Sequence, residues 1–380
     1  MIESLNLNSL NSLVESGPVS RSALADALQL STEELDAATR GLFSLNESQI
    51  NFIAEVNGVN PYALFADEKF SPEPALVDFR SAKPGPAKLS VKGAKALRDV
   101  KRFLRTAQLI GATKPNVRKL PSDTKEAGEL VRADLGLTDT LQLTLKDRRS
   151  LFLHLRNAIE RRNIFVFGVQ AERSDFRGLA VVDHNVWAIA FNQADENHGA
   201  RSFTLVHEYA HVCNGHAGVS DPFLTNNAEE RFCNAVAAFA LAPGRLLRAI
   251  RPKNPHPQSN IVLFVGYFAN QLGTSKYMMA IQLRHCNIIN REEFNRWRSQ
   301  YSFIHSSFEP KDGGGAGSPP ERDEGKHKVA KYGALLPVLL KKALERKAMH
   351  PNDISKYIGI KKQHQDATFS EAASRFDLMN

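Results

Sequence analysis

The sequence predicts a mainly helical α+β fold: a metal-site domain with a small β-sheet, preceded by a helix-turn-helix-like helical domain and followed by a small helical tail module. Three observations predict it. Residues 204–213 read Thr-Leu-Val-His-Glu-Tyr-Ala-His-Val-Cys and place H-E-x-x-H inside an apolar helix. Upstream, Leu179–Val182 and Val186–Asn192 are apolar runs separated by the polar turn Asp183-His184-Asn185, the pattern of paired strands. The remaining periodic segments recur at helical spacing and are broken by Gly, Pro and capping residues.

The head comes first. Ser22–Gly41 reads as two short helices joined by a tight turn, with Ser31 an N-cap and Glu34 completing a capping box. Residues 1–80 hold 12 acids against 4 Lys or Arg, a net charge of −8, so the other 300 residues carry +16 of the total +8. The second helix of the pair carries Glu33, Glu34 and Asp36 against Arg40. Docking that face on DNA would bring carboxylates towards phosphates, whereas affinity for DNA comes mainly from cations that neutralise them. DNA is therefore a disfavoured partner, and the head reads as a helical packing module or a docking site for another helix-turn-helix protein.

Residues 81–119 form a basic helical connector, with 11 Lys or Arg against Asp99 alone. Leu97, Val100 and Leu104 make its apolar stripe, and its cations face solvent, nucleic acid or the acidic head. The metal-site domain is assigned to residues 120–308. In it a helix around Asp147–Arg161 feeds the strand Ile164–Phe167, and the strand pair follows. A strand beside the metal helix would let an extended peptide add itself through backbone hydrogen bonds. Ile189 and Asn192 are the substrate-binding candidates on that strand.

The motif carries the chemistry. His207 and His211 stand four residues apart and share one helix face. Two imidazoles at that spacing can hold one metal ion, and Glu208 lies about 100° further round, placed to polarise a water. At this chain's His and Glu frequencies roughly 0.02 matches would arise by chance, so composition does not account for it. Phe203, Val206, Ala210 and Cys213 line one side of the helix and Leu205, Tyr209 and Val212 another, which predicts burial. Zinc needs a third protein ligand and an open fourth position. A third histidine in H-E-x-x-H-x-x-G-x-x-H is excluded by Asn214 and Ala217. Gly215 ends the helix instead, His216 is a loop residue, and Cys213 and Cys233 are small buried apolar residues. The next helix, Ala228–Ala242, stopped by Pro243 and Gly244, offers Glu229 and Glu230 in its first turn. Glu230 is preferred because Asn234, four residues on, can orient the site; Glu229 is the alternative. The site is thus Glu208 as base, His207, His211 and Glu230 as ligands of one zinc ion per chain, and Asn234 as orienting group. This is the zincin-like, gluzincin-like set of a zinc metallo-endopeptidase.

The segments Ala188–Asn192, Arg201–His211 and Glu230-x-x-Cys233-Asn234-x-x-Ala237-x-x-x-Leu241-x-Pro243 resemble the ImmA/IrrE metallopeptidases. The helix-turn-helix-like head, traced in Leu24–Leu28, Ile53–Val56, Tyr62–Phe65 and Asp78–Arg80, fits the same family. The resemblance implies that His207, His211 and Glu230 bind zinc and Glu208 is the base. It also implies a cytoplasmic protease that cuts a helix-turn-helix repressor and so derepresses stress, DNA-damage or mobile-element genes. Cys233 departs from the family's commoner Ala, away from the chemistry. The alternative is a DNA-binding transcriptional regulator with a structural or sensory metal site.

Composition agrees with an intracellular protein. Residues 1–20 lack a signal-peptide pattern, no apolar run is long enough to span a membrane, and three cysteines suit a reducing compartment. Lys311–Pro320, rich in Gly and Pro, marks a linker over 309–328. The tail module, 329–380, holds Ala334–Leu340, with Pro337 in an early turn, and Pro351–Ile360.

Overall fold

The computed structural model describes residues 5–65, 77–78, 85–145, 147–194, 197–220, 227–251, 260–307 and 323–377. The predicted linker lies largely outside them. The head comprises α1 (Leu7–Ser16), α2 (Arg21–Leu28), α3 (Thr32–Thr39) and α4 (Glu47–Asn57). Two-residue strands β1 (Val77–Asp78) and β2 (Gly85–Pro86) precede the long helix α5 (Val91–Leu109). Then come α6 (Thr124–Asp134), α7 (Asp139–Thr144), α8 (Arg148–Glu160), β3 (Ile164–Val169), β4 (Gly178–Asp183), β5 (Val186–Asn192), α9 (His198–Asn214) and β6 (Gly218–Ser220). They are followed by α10 (Ala228–Leu241), α11 (Gly244–Ala249), α12 (Ile261–Gln271), α13 (Lys276–His285) and α14 (Arg291–Ser307). The tail holds α15 (Glu324–Tyr332), α16 (Leu335–Glu345), α17 (Pro351–Tyr357) and α18 (Lys362–Asp377).

Local chemistry sets the boundaries as the sequence suggests. Ser31 and Glu34 form a reciprocal capping box at α3. Asn227 caps α10 by accepting the Glu230 N–H at 2.8 Å. Gly215 ends α9 at φ +77°, the left-handed conformation in which glycine carries no side-chain penalty.

The strands form one mixed sheet in the order β2-β1-β6-β4-β5-β3. β3 runs parallel to β5, while β4 pairs antiparallel with both β5 and β6. β5 thus has a strand on both sides along its length, and β4 is paired on its other side by β6 over Gly178–Ala180, which leaves little room for a peptide to add there.

Side chains alternate across the pleat. Ile164 and Val166 of β3, with Ile189 and Phe191 of β5, face a core shared with Leu205, Val206 and Tyr209 of α9. Phe165 and Phe167 face the other way, onto Leu97, Val100 and Phe103 of α5 and Leu336, Leu340 and Ile354 of the tail. The sheet is therefore covered on both faces, and every residue of β3 is buried. α5 and the tail supply this second layer. The head keeps a core of its own, centred on Leu10, Leu24, Leu35 and Ile53, which extends to Ala94 of α5. The cations of α5 are drawn into local pairs: Arg98 bonds Glu55 of the head, and Arg105 bonds Asp183 of β4.

A buried polar joint ties the tail to the sheet. Arg156, fully enclosed in α8, donates to Val166 O at 2.7 Å and Ala330 O at 2.9 Å. One turn later Glu160 accepts the Ala334 N–H at 3.0 Å and the Leu335 N–H at 3.2 Å. α16 has no side-chain cap of its own, so Glu160 caps it from another helix. Burial pushes the Glu160 carboxyl above its ordinary range, and the Arg156 guanidinium offsets only part of that. Among the described residues no helix is long and apolar enough to cross a membrane.

Candidate metal centre

α9 and α10 pack side by side and bring the motif histidines to the first turn of α10. Beneath α10, Arg132 donates to Ala240 O at 2.6 Å and Gln142 to Leu241 O at 2.8 Å. These buried donors satisfy the last carbonyls of α10 and fix its position.

His207 Nε2 and His211 Nε2 lie 3.1 Å apart. Glu230 Oε1 is 3.2 Å from His211 Nε2, and Glu230 Oε2 is 3.3 Å from His207 Nε2. A tetrahedral ion with donor bonds of about 2.0–2.1 Å spaces its donors about 3.3–3.4 Å apart, so these three side chains fit a single zinc-sized ion. His207, Glu208 and Glu230 are 0 % exposed and His211 1 %. Burial would raise the Glu230 carboxyl, but its bonds to His207 and His211 outweigh that and hold it below the usual range. A carboxylate kept ionised in a dry site is the form a cation requires.

The two candidate carboxylates take different places. Glu230 bridges both histidines, whereas Glu229 groups with His211 and Cys233 on the outer side. Glu229 Oε1 stands 3.7 Å from His211 Nδ1 and accepts a 2.7 Å hydrogen bond from His216 Nδ1. The histidine must be the donor, since an ionised carboxylate only accepts. Burial works to raise the Glu229 carboxyl too, and the His216 bond, with the charge of His216 and His211, lowers it further than burial raises it. A carboxylate at the outer nitrogen of a ligating histidine orients the ring and raises its basicity. We propose that Glu229, 3.7 Å from that nitrogen, takes this place; Asn234 lines a neighbouring cavity. We expect Glu229→Ala to weaken zinc binding about 10–100-fold with the fold intact. Competition against a chromogenic chelator measures this, and unchanged affinity would refute it.

Glu208 sits under the first residue of β4. A Cβ added at Gly178 would fall 2.4 Å from Glu208 Oε1 and 2.6 Å from Thr204 Cγ2. Only a glycine lets the strand pass this close, so Gly178 sets the room available to the carboxylate. Sequence patterns alone single out neither Gly178 nor the orienting place of Glu229; a glycine opening an apolar strand is the signal for the first.

Two other expectations fail. Asn192 is 2 % exposed, and its amide is spent on the backbone of the β3–β4 loop. It donates to Ala171 O, Glu172 O and Phe176 O at 3.1–3.2 Å. Ile189 is fully buried, in the core between the sheet and α9. Neither side chain is placed to meet a substrate.

Residues 159–284 match the family model of the IrrE N-terminal-like domain, Peptidase_M78. The segment is similar to an IrrE N-terminal-like domain. No curated protein and no solved structure matches the chain. The IrrE-like domain spans β3 to α13 and contains His207, Glu208, His211, Glu229 and Glu230. Its family is one of metallopeptidases, and the His207–His211–Glu230 cluster is a candidate metal site within it. α5, the head and the tail lie outside the matched segment.

Proposed function

We propose that this protein is a zinc-dependent endopeptidase that cleaves a helix-turn-helix repressor-type protein and thereby derepresses stress, DNA-damage or mobile-element genes. The convergence of His207 Nε2, His211 Nε2 and Glu230 within 3.1–3.3 Å carries this reading. Zinc bound there would supply Lewis acidity, making a water more acidic and stabilising negative charge on the substrate carbonyl oxygen. Glu208 accepts the proton of the attacking water as the C–O bond forms, then delivers it to the leaving nitrogen as the C–N bond breaks. Its burial against Gly178 holds the carboxylate at one place and excludes bulk water. His207, His211 and Glu230 serve as ligands, and Glu229 orients His211.

A cytoplasmic setting suits Cys213, Cys233 and Cys286, which are all free thiols. Burial pushes the Cys213 thiol up to about 12 and Cys233 well above its ordinary value, so neither is poised as a nucleophile. The regulator reading gains no support from α3, whose first turn carries Glu33 and Glu34.

The test is co-expression with candidate helix-turn-helix repressors, followed by mass mapping of fragments. We expect one cut product pair that depends on zinc and on Glu208. Intact repressors throughout, with the zinc-loaded protein present, would count against the substrate class.

A further inference from the structure

The tail holds a second helix-turn-helix, and its charge is opposite to that of the head. α17 and α18 are joined by a short turn over residues 358–361, in which Gly359 takes φ +84°. Ile354 of α17, Ile358 and Ile360 of the turn, and Thr368 and Phe369 of α18 are buried. Gln365, 3 % exposed, ties the helices together. Its amide donates to Pro351 O at 2.8 Å and to Ile360 O at 3.1 Å. Ser355 Oγ donates to the same Ile360 O at 3.0 Å. The turn is thus braced from both helices. In a helix-turn-helix that binds DNA, the second helix is the one that enters the major groove.

The outer face of α18 is open to such a partner. Ile354, Ile358, Ile360 and Phe369 join the core over the second face of the sheet, which turns the opposite side of α18 outward. Lys362, Gln363, Asp366 and Ser370 are exposed at the spacing of one helix face. α15 packs on α18 at Gly325, where a Cβ would fall 2.6 Å from Ala367 O, and leaves those four side chains exposed. Residues 341–362 carry seven Lys or Arg against two acids, Glu345 and Asp353, a net charge of +5. Residues 21–40, the helix pair of the head, carry two Arg against four acids, a net charge of −2. Lys356 in the last turn of α17, and Lys361 and Lys362 at the start of α18, are all exposed. Such cations neutralise phosphates, the term that dominates affinity for DNA. A Gln amide can bond adenine N6 and N7 together, and an Asp carboxylate can accept from the cytosine amino group.

We propose that α17 and α18 form a binding site for duplex DNA, with α18 seated in the major groove. Lys361 and Lys362 engage phosphates, and Gln363 and Asp366 face base edges. The site is separate from the metal centre and does not depend on the peptidase reading.

Full-length protein is mixed with a pool of duplexes of about 25 base pairs with randomised centres, long enough for two turns of the double helix. Bound duplexes are sequenced over rounds of selection, and affinity for the selected one is followed by fluorescence anisotropy over a salt series. A short motif should be enriched, and affinity should fall steeply with salt. Replacing both lysines, Lys361→Ala with Lys362→Ala, should weaken binding about tenfold and flatten the log–log salt slope by about two. Gln363→Ala should cost about tenfold on the selected duplex and little on a scrambled one. All three positions are exposed, so the fold should survive, which circular dichroism checks. Arg40→Glu, on the head, should leave binding unchanged. The proposal is overturned by an absence of binding at low salt, or by binding that the lysine pair does not affect or that Arg40→Glu abolishes. Binding with no enriched motif and no effect of Gln363→Ala would reduce the tail to a non-specific cationic surface and overturn the groove assignment. Tighter binding to single-stranded RNA of the same length would overturn it as well.

Discussion

Replacing Glu208 with Gln should lower peptide cleavage about 10²–10⁴-fold while one zinc per chain is retained. Gln has the shape of Glu, and the space under Gly178 that holds Glu208 Oε1 accepts an amide oxygen equally well. The ligand set is untouched, because His207, His211 and Glu230 make their close approaches without Glu208. The amide cannot take a proton from water at neutral pH, so the step that activates the nucleophile and the step that protonates the leaving amine both fail. A loss of that size is about 2.7–5.5 kcal/mol of transition-state stabilisation. Steady-state cleavage of an authentic substrate, with metal content measured on the same sample, checks it. Full turnover by the variant would remove Glu208 from the mechanism.

Glu160→Ala should destabilise the fold by about 3–5 kcal/mol, the usual penalty for stripping one partner from a buried charged arrangement. Two consequences combine. The Ala334 and Leu335 N–H groups lose their acceptor inside the core, and Arg156 is left fully enclosed without its neighbouring carboxylate. Leu335, Leu336 and Leu340 of α16 follow directly and line the second face of the sheet, so the tail should loosen first. Urea unfolding reads the stability, and limited proteolysis should release the tail at denaturant levels where the wild type is intact. Glu160→Gln keeps an acceptor oxygen and should lose less. A change below about 1 kcal/mol for Glu160→Ala would show that the joint does not hold the tail to the sheet.

The sequence is most legible where chemistry constrains spacing. An i, i+4 pair of histidines on a buried helix admits few roles, and the first turn of the next helix offers two carboxylates. Choosing between Glu229 and Glu230 from the i, i+4 place of Asn234 names Glu230, the carboxylate found between both histidines. The approach of Glu229 to His211 depends on how α9 and α10 are rotated against each other, and His216 in the loop bonds the same carboxylate. Capping at Ser31 and Gly215 is legible because it is local. The second layer of the sheet is not, because the apolar stripe of α5 looks the same against a sheet as within a helical bundle. Ile164–Phe167 carries the missing signal: an unbroken apolar run belongs to a strand covered on both faces. Asn192 misleads because an Asn at a strand end serves a turn as readily as a ligand.

The central claim is that His207, His211 and Glu230 together hold one divalent ion. Anomalous diffraction at the zinc edge from crystals of the full chain tests it most directly, with Glu230→Ala as the comparison. The account predicts a single peak between the two Nε2 atoms and the Glu230 carboxylate, lost or greatly weakened in the variant. No peak at that place after zinc loading, or an equal peak in Glu230→Ala crystals, would contradict it.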